Sequence, residues 1–131
     1  METNINKHHL ILVAEDDDIS YSFLKLFLRK YNFELLRTKN GKDTVEEVRR
    51  NRNIDLVLMD IKLPDLNGEE ATRQIRQFNT WLPVIAQTAY ALPGDRERIL
   101  NAGCSDYITK PLNGKELLNK INKYLVAINF K

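Results

Sequence analysis

Residues 54–68 read IDLVLMDIKLPDLNG, and within them Leu56-Val57-Leu58-Met59 is an unbroken apolar run. A strand with one wet face alternates apolar and polar residues, whereas a continuous run of this kind suits a strand covered on both faces. Pro64 and Asn67-Gly68 then punctuate the connection to a helix carrying Ala71, Ile75 and Phe78. The same strand-then-helix unit recurs on both sides of this stretch. Upstream, the apolar run Leu10–Ala14 is followed by Glu15-Asp16-Asp17-Asp18 and a helical stretch over 18–31. There Ile19, Phe23, Leu26, Phe27 and Tyr31 recur mostly at spacings of three and four and predict an apolar face. Phe33–Thr38 reads as a strand, and Asn40-Gly41 as a turn into a short helix around Val45 and Val48. Downstream come a strand over Trp81–Gln87, a helix over Asp95–Ala102 closed by Gly103, and a short strand over Asp106–Thr109. A final helix runs from Leu112 to about Ile128, with Leu117, Leu118, Ile121 and Leu125 on one side. Five such alternations predict an α/β fold, an open parallel sheet wrapped by helices on both faces.

Composition agrees with one globular domain. The chain has 131 residues, 43% of them hydrophobic and 29% charged, with 20 Lys and Arg against 18 Asp and Glu for a formal charge of +2. The single Cys104 cannot close an internal disulfide, so an oxidising compartment has no support, and a Cys-rich zinc site is excluded. No apolar run is long enough to span a bilayer, and the first one lacks the flanks of a signal peptide. A cytoplasmic domain with no membrane contact is expected. Nucleic acid is not expected as a partner: Arg37, Lys39, Lys42, Arg49, Arg50 and Arg52 are interleaved with Asp43, Glu46 and Glu47, which reads as a solvated helix face. Residues 1–8 are expected to form a flexible polar flank, 9–127 the domain, and 128–131 a tail.

Ligands of open parallel sheets bind beyond the carboxyl ends of the strands, so the residues just past each strand matter most. Strand one ends in Glu15-Asp16-Asp17-Asp18, strand three in Asp60, strand four in Thr88, strand five in Lys110-Pro111. Clustered carboxylates resist full ionisation unless a cation joins them. Glu15, Asp16 and Asp60 are balanced only when a divalent ion adds its charge to that of Lys110. An all-oxygen ligand set favours a hard ion such as Mg²⁺ (or Mn²⁺). A carboxylate nucleophile, a metal, a hydroxyl and an ammonium are together the parts needed to receive a phosphoryl group. Asp60, alone at the end of the most apolar strand, is the best nucleophile. Each feature has a plainer reading by itself. Asp17 or Asp18 suits a helix cap, a lone Asp after a strand suits a turn, and Tyr107 suits a half-buried strand aromatic. The coincidence at several strand ends favours the chemical reading.

These residues resemble the receiver domain of bacterial two-component response regulators. The matching pieces are ILVAEDD at 11–17, LVLMDIKLPDLNG at 56–68, PVIAQTA at 83–89 and AGCSDYITKP at 102–111, in that order and spacing. The resemblance implies a doubly wound, flavodoxin-like sheet of five parallel strands in order 2-1-3-4-5. It implies Asp60 as phospho-acceptor from the phosphohistidine of a histidine kinase or phosphotransfer domain. Glu15, Asp16, Asp60 and the backbone carbonyl of Lys62 would be the metal ligands, Thr88 and Lys110 the groups binding the phosphoryl oxygens, and Thr88 and Tyr107 the switch pair. It also implies a cis Lys110–Pro111 bond, a structural role for Gly68, and tuning of the phosphoryl lifetime by Lys62 and Tyr90, with Tyr90 shielding the aspartyl phosphate from water. The output would be a downstream protein or an attached domain, with phosphorylation-dependent dimerisation as one route. Such a domain is not an enzyme in its own right, although it catalyses its own phosphorylation and slow dephosphorylation. The segments TAYA at 88–91 and AGCSDYITKP at 102–111 look like receivers of hybrid histidine kinases; a free-standing regulator fits equally.

Rival classes fail on particular residues. A haloacid-dehalogenase-type phosphatase needs a second Asp where Lys62 stands. A flavodoxin needs a phosphate loop where Glu15–Asp18 would repel phosphate. An EF-hand starting at Asp16 needs Gly at Tyr21 and Glu at Phe27. A non-phosphorylated interaction module on the same fold remains, but no site residue is missing to recommend it.

Overall fold

The computed structural model describes residues 8–89 and 92–129. Tyr90, most of the expected flank 1–8 and part of the expected tail lie outside the described residues. Ten elements alternate: β1 (Leu10–Ala14), α1 (Asp18–Arg29), β2 (Glu34–Thr38), α2 (Gly41–Arg50), β3 (Leu56–Asp60), α3 (Gly68–Arg76), β4 (Val84–Thr88), α4 (Asp95–Asn101), β5 (Asp106–Thr109) and α5 (Gly114–Asn129). The strands form one parallel sheet in the order β2-β1-β3-β4-β5. All five residues of β3 are buried, as its unbroken apolar run requires.

Alternation along the strands sorts the core into two layers. Leu12, Ala14, Val57, Met59, Val84 and Ala86 face α2, α3 and α4, meeting Val45, Val48, Ala71, Ile75 and Ile99. Ile11, Val13, Leu56, Leu58, Ile85 and Ile108 face the other way and meet Leu24 and Leu28 of α1 and Leu117, Ile121 and Leu125 of α5. Helix starts are fixed locally. Asp17, Asn40 and Asn67 each accept a backbone N–H from three residues ahead, capping α1, α2 and α3. Gly103, at φ 111°, closes α4 in the left-handed conformation, as expected from its position past the last apolar residue. Lys110–Pro111 is cis.

Three expectations are corrected. The apolar face read on α1 is not the buried one: Ile19 is 81% exposed, Leu26 72% and Phe23 47%, while Leu24 and Leu28 are fully buried. The 24/28 row instead packs on the sheet with Ile11 and Val13 and against Leu117 and Ile121 of α5. β4 begins at Val84 rather than Trp81, because Asn79 Oδ1 accepts the N–H groups of both Trp81 and Leu82 and turns the chain there. α5 begins at Gly114 rather than Leu112, because the cap is Asn113, whose side chain accepts from the Glu116 N–H at 3.0 Å. No described helix is long and apolar enough to cross a membrane.

Candidate functional site

The carboxyl ends of β1, β3, β4 and β5 bring together most of the residues singled out in sequence. Glu15 follows β1 directly, its N–H held by the Thr38 carbonyl at 3.0 Å. That clamp extends the β1–β2 pairing by one residue and leaves the Glu15 carboxylate only 1% exposed. Its Oε2 accepts the Asp17 N–H at 3.1 Å, so the acidic loop folds back on itself. Asp16, between them, is exposed. Asp60 is the last residue of β3 and is 6% exposed. Its Oδ1 accepts the Lys62 N–H at 3.0 Å and its Oδ2 meets Lys110 Nζ at 3.2 Å. Lys110 also lies 3.6 Å from Glu15 Oε1, so one ammonium bridges two carboxylates.

The turn after β3 is kept tight by Gly68, whose N–H donates to the Ile61 carbonyl at 2.9 Å. A Cβ on Gly68 would overlap the Asp60 carbonyl oxygen and come within 2.9 Å of Ile61 Cα. Thr88 ends β4, buried, and its carbonyl accepts the Lys110 N–H at 2.8 Å. Tyr107 is half-buried on β5, beside Ala86 of β4 and on the layer facing α2, α3 and α4. Thr88 and Tyr107 therefore belong to the same side of the sheet.

Electrostatically the site is short of positive charge. One carboxylate oxygen each from Glu15, Asp16 and Asp60 lies within 4.8 Å of the others. Burial, with the Asp60 charge as second cause, pushes the Glu15 carboxyl up to about 7, against the pull of the Asp17 N–H and Lys110. Its Oε1 is buried and accepts no hydrogen bond from a described residue. A buried acceptor in an acidic cluster, all of oxygen, is what a hard divalent cation would satisfy, so the residues fit Mg²⁺.

Arg37 is the site neighbour that sequence reasoning misses. Grouped by sequence with the solvated charges of 37–52, it stands on β2 with its side chain only 18% exposed. Its Nε donates to the Glu15 carbonyl at 3.0 Å, and the guanidinium lies 4.5 Å from the Tyr21 ring centre. The signal available is position: Arg37 precedes Thr38 at a strand end next to the acidic loop. Nothing in its local spacing distinguishes it from Lys39 or Arg49.

Comparison with known proteins points the same way. The family model described as the response regulator receiver domain matches residues 11–122. The polar-differentiation response regulator DivK of Brucella anthropi is 35% identical over 117 residues, covering 88% of this chain and 94% of that protein. The hybrid signal transduction histidine kinase I of Dictyostelium discoideum is 39% identical over 120 residues, covering 86% of this chain but only 7% of that protein. Among solved structures, the receiver domain of the Pseudomonas aeruginosa PAO1 sensor histidine kinase PA1611, with magnesium in its active-site cleft, superposes at a TM-score of 0.84 with 36% identity, covering 91% of this chain and 98% of that one. The receiver domain of Ssk1 from Saccharomyces cerevisiae, crystallised with the phosphotransfer protein Ypd1, gives 0.83 and 32%, covering 89% and 88%.

Proposed function

This chain belongs to the response regulator receiver domain family and is a receiver domain of two-component phosphorelay signalling, and on that basis we propose that Asp60 is its phospho-acceptor. The observation that carries the assignment is the position of Asp60: a buried carboxylate at the end of β3, 3.2 Å from the ammonium of Lys110. In the transfer, an oxygen of Asp60 forms a bond to phosphorus as the donor's phosphoramidate P–N bond breaks, and the donor imidazole leaves with its nitrogen lone pair restored by that bond. Lys110 neutralises charge on the incoming phosphoryl oxygens, and the Thr88 hydroxyl donates to one of them. Glu15, Asp16, Asp60 and the Lys62 carbonyl would hold Mg²⁺, which would supply the remaining neutralisation. Reversal by water at the same centre gives a slow self-dephosphorylation.

The donor is a phosphohistidine of a histidine kinase or phosphotransfer domain, and its docking surface is the exposed side of α1. Ile19 and Phe23 line a cleft with Lys110, Pro111 and Leu112, so an apolar helix face seated there brings a histidine to the rim that holds Asp60. Phosphorylation adds about two negative charges at that rim. Thr88 moves toward them, Tyr107 turns into the space released, and the α4–β5–α5 surface shifts its population toward the partner-binding state. The target is a downstream protein or an attached domain, and the setting is the cytoplasm.

Incubation with phosphoramidate and Mg²⁺, read by intact mass, tests the assignment. An acid-labile phosphoryl adduct is expected on the wild type and none on Asp60→Asn. An undiminished adduct on that variant, or none on the wild type, refutes it.

A further inference from the structure

Arg37 touches the acidic loop at two points, Glu15 and Asp18, without being one of the groups proposed to meet the phosphoryl group. Its Nε donates to the carbonyl of Glu15 at 3.0 Å. Its Nη2 lies 2.9 Å from Asp18 Oδ1 in the first turn of α1, an ion pair of close approach but without hydrogen-bond alignment. Its guanidinium lies over the Tyr21 ring one turn further on. The neighbouring residue adds a fourth hold, the Thr38 carbonyl accepting the Glu15 N–H. Glu15 is thus fixed at both its amide and its carbonyl by β2, and the loop 15–18 is pinned at both ends by one side chain.

We infer that Arg37 is the positioning residue of the metal-binding loop, setting the separation of Glu15 and Asp16 from Asp60 that a divalent cation requires. This rests on the metal site proposed above. Three carboxylates brought within 4.8 Å repel one another, and a loop of three successive aspartates after Glu15 would relax outward if nothing held it. Arg37 counters this by a directed hydrogen bond and by stacking, both of which depend on a planar guanidinium. A lysine at that position keeps the charge but has neither the fork nor the flat face. Outer residues that hold metal ligands commonly change affinity about tenfold or more when removed.

The sign separates positioning from charge alone. A cation near the site repels Mg²⁺, so if Arg37 acted only through its charge, Arg37→Met would tighten Mg²⁺ binding and Arg37→Lys would leave it unchanged. If it positions the loop, both variants weaken binding, by about tenfold. Tyr21→Leu removes the stacking surface without altering charge and should weaken binding in the same direction by about threefold. The measurement is Mg²⁺ binding itself, followed by the amide NMR shifts of Asp16 and Asp60 in each folded protein, with urea unfolding run in metal-free buffer. Weaker binding in Arg37→Lys and Arg37→Met, with Tyr21→Leu between them and the wild type, is the expected result. Wild-type affinity in Arg37→Lys and Tyr21→Leu overturns the inference, as does tighter binding in Arg37→Met, whatever happens to stability. Should the Arg37 variants not fold, Tyr21→Leu decides. A wild type that binds no Mg²⁺ removes the metal site itself along with the inference.

Discussion

Lys110 is placed between two carboxylates that have opposite needs. In the proposed transfer Asp60 attacks phosphorus, whereas burial and the Asp60 charge push the Glu15 carboxyl up to about 7. The ammonium lies 3.2 Å from Asp60 and 3.6 Å from Glu15, and it favours the charged form of the buried Glu15. It also competes with a metal for the same field. Lys110→Met should therefore bind Mg²⁺ more tightly than the wild type while accepting phosphoryl groups from phosphoramidate about tenfold or more slowly, since one stabilising charge at the developing oxyanions is gone. Mg²⁺ titration and time-resolved intact mass check the two halves. An unchanged rate would mean that Lys110 does not touch the transferred group. Residues such as Asp60 and Lys110 are legible because they stand at or just past a strand end, and strand ends can be located from apolar runs alone. Arg37 is not, because a strand-end charge facing solvent and one folded over a neighbouring loop have the same sequence. The contacts of Arg37 with Glu15, Asp18 and Tyr21 distinguish them, and these exist only in the fold.

Among the elements, α1 shows how spacing can identify a helix and still misplace its buried side. Residues 18–29 read DISYSFLKLFLR, apolar over most of the circumference. Two rows fit the helical period: 19/23/26/27 and 21/24/28. The first is longer, but packing on the sheet and α5 buries the second, with Tyr21 and Phe27 at its margin. Ile19, Phe23 and Leu26 of the longer row are left facing solvent, and Ile19 and Phe23 border Lys110, which is why they form the proposed docking surface. The two rows should separate cleanly in mutants. Leu24→Ala removes a fully buried side chain and should cost about 2–5 kcal/mol in urea unfolding. Leu26→Ala, at 72% exposure, should stay within about 0.5 kcal/mol of the wild type. Equal losses would show that the exposed row carries packing in the free domain. By contrast β3 and α2 need no choice of this kind: one is buried on both faces, and the other has a single apolar row, Val45 and Val48.

For the whole molecule, the site is a source of instability that the fold tolerates. A carboxyl whose folded value is raised to about 7 from an ordinary 4.5 binds its proton more tightly in the native state than in the unfolded chain. Between those values the native protein holds more protons, so its stability falls as pH rises, and above about 7 the full cost of an ionised, buried Glu15 is present. Below about 4.5 that contribution vanishes. The shift corresponds to about 1–3 kcal/mol, the lower end allowing for screening through the open rim beside Asp16. In chelator, the urea midpoint of the wild type should therefore drop from about pH 5 to about pH 8, and Glu15→Gln should flatten that difference, because an amide carries no proton to lose. At the proposed metal site Mg²⁺ would oppose that loss. It would bind the ionised carboxylate of the native state, stabilise by the logarithm of its concentration over its dissociation constant, and bind better as pH rises. Saturating Mg²⁺ should then raise the midpoint more at about pH 8 than at about pH 5. If the wild type and Glu15→Gln lost stability equally across that range in chelator, the buried carboxyl would not be the titrating group. In that event the metal would be balancing Asp16 and Asp60 alone.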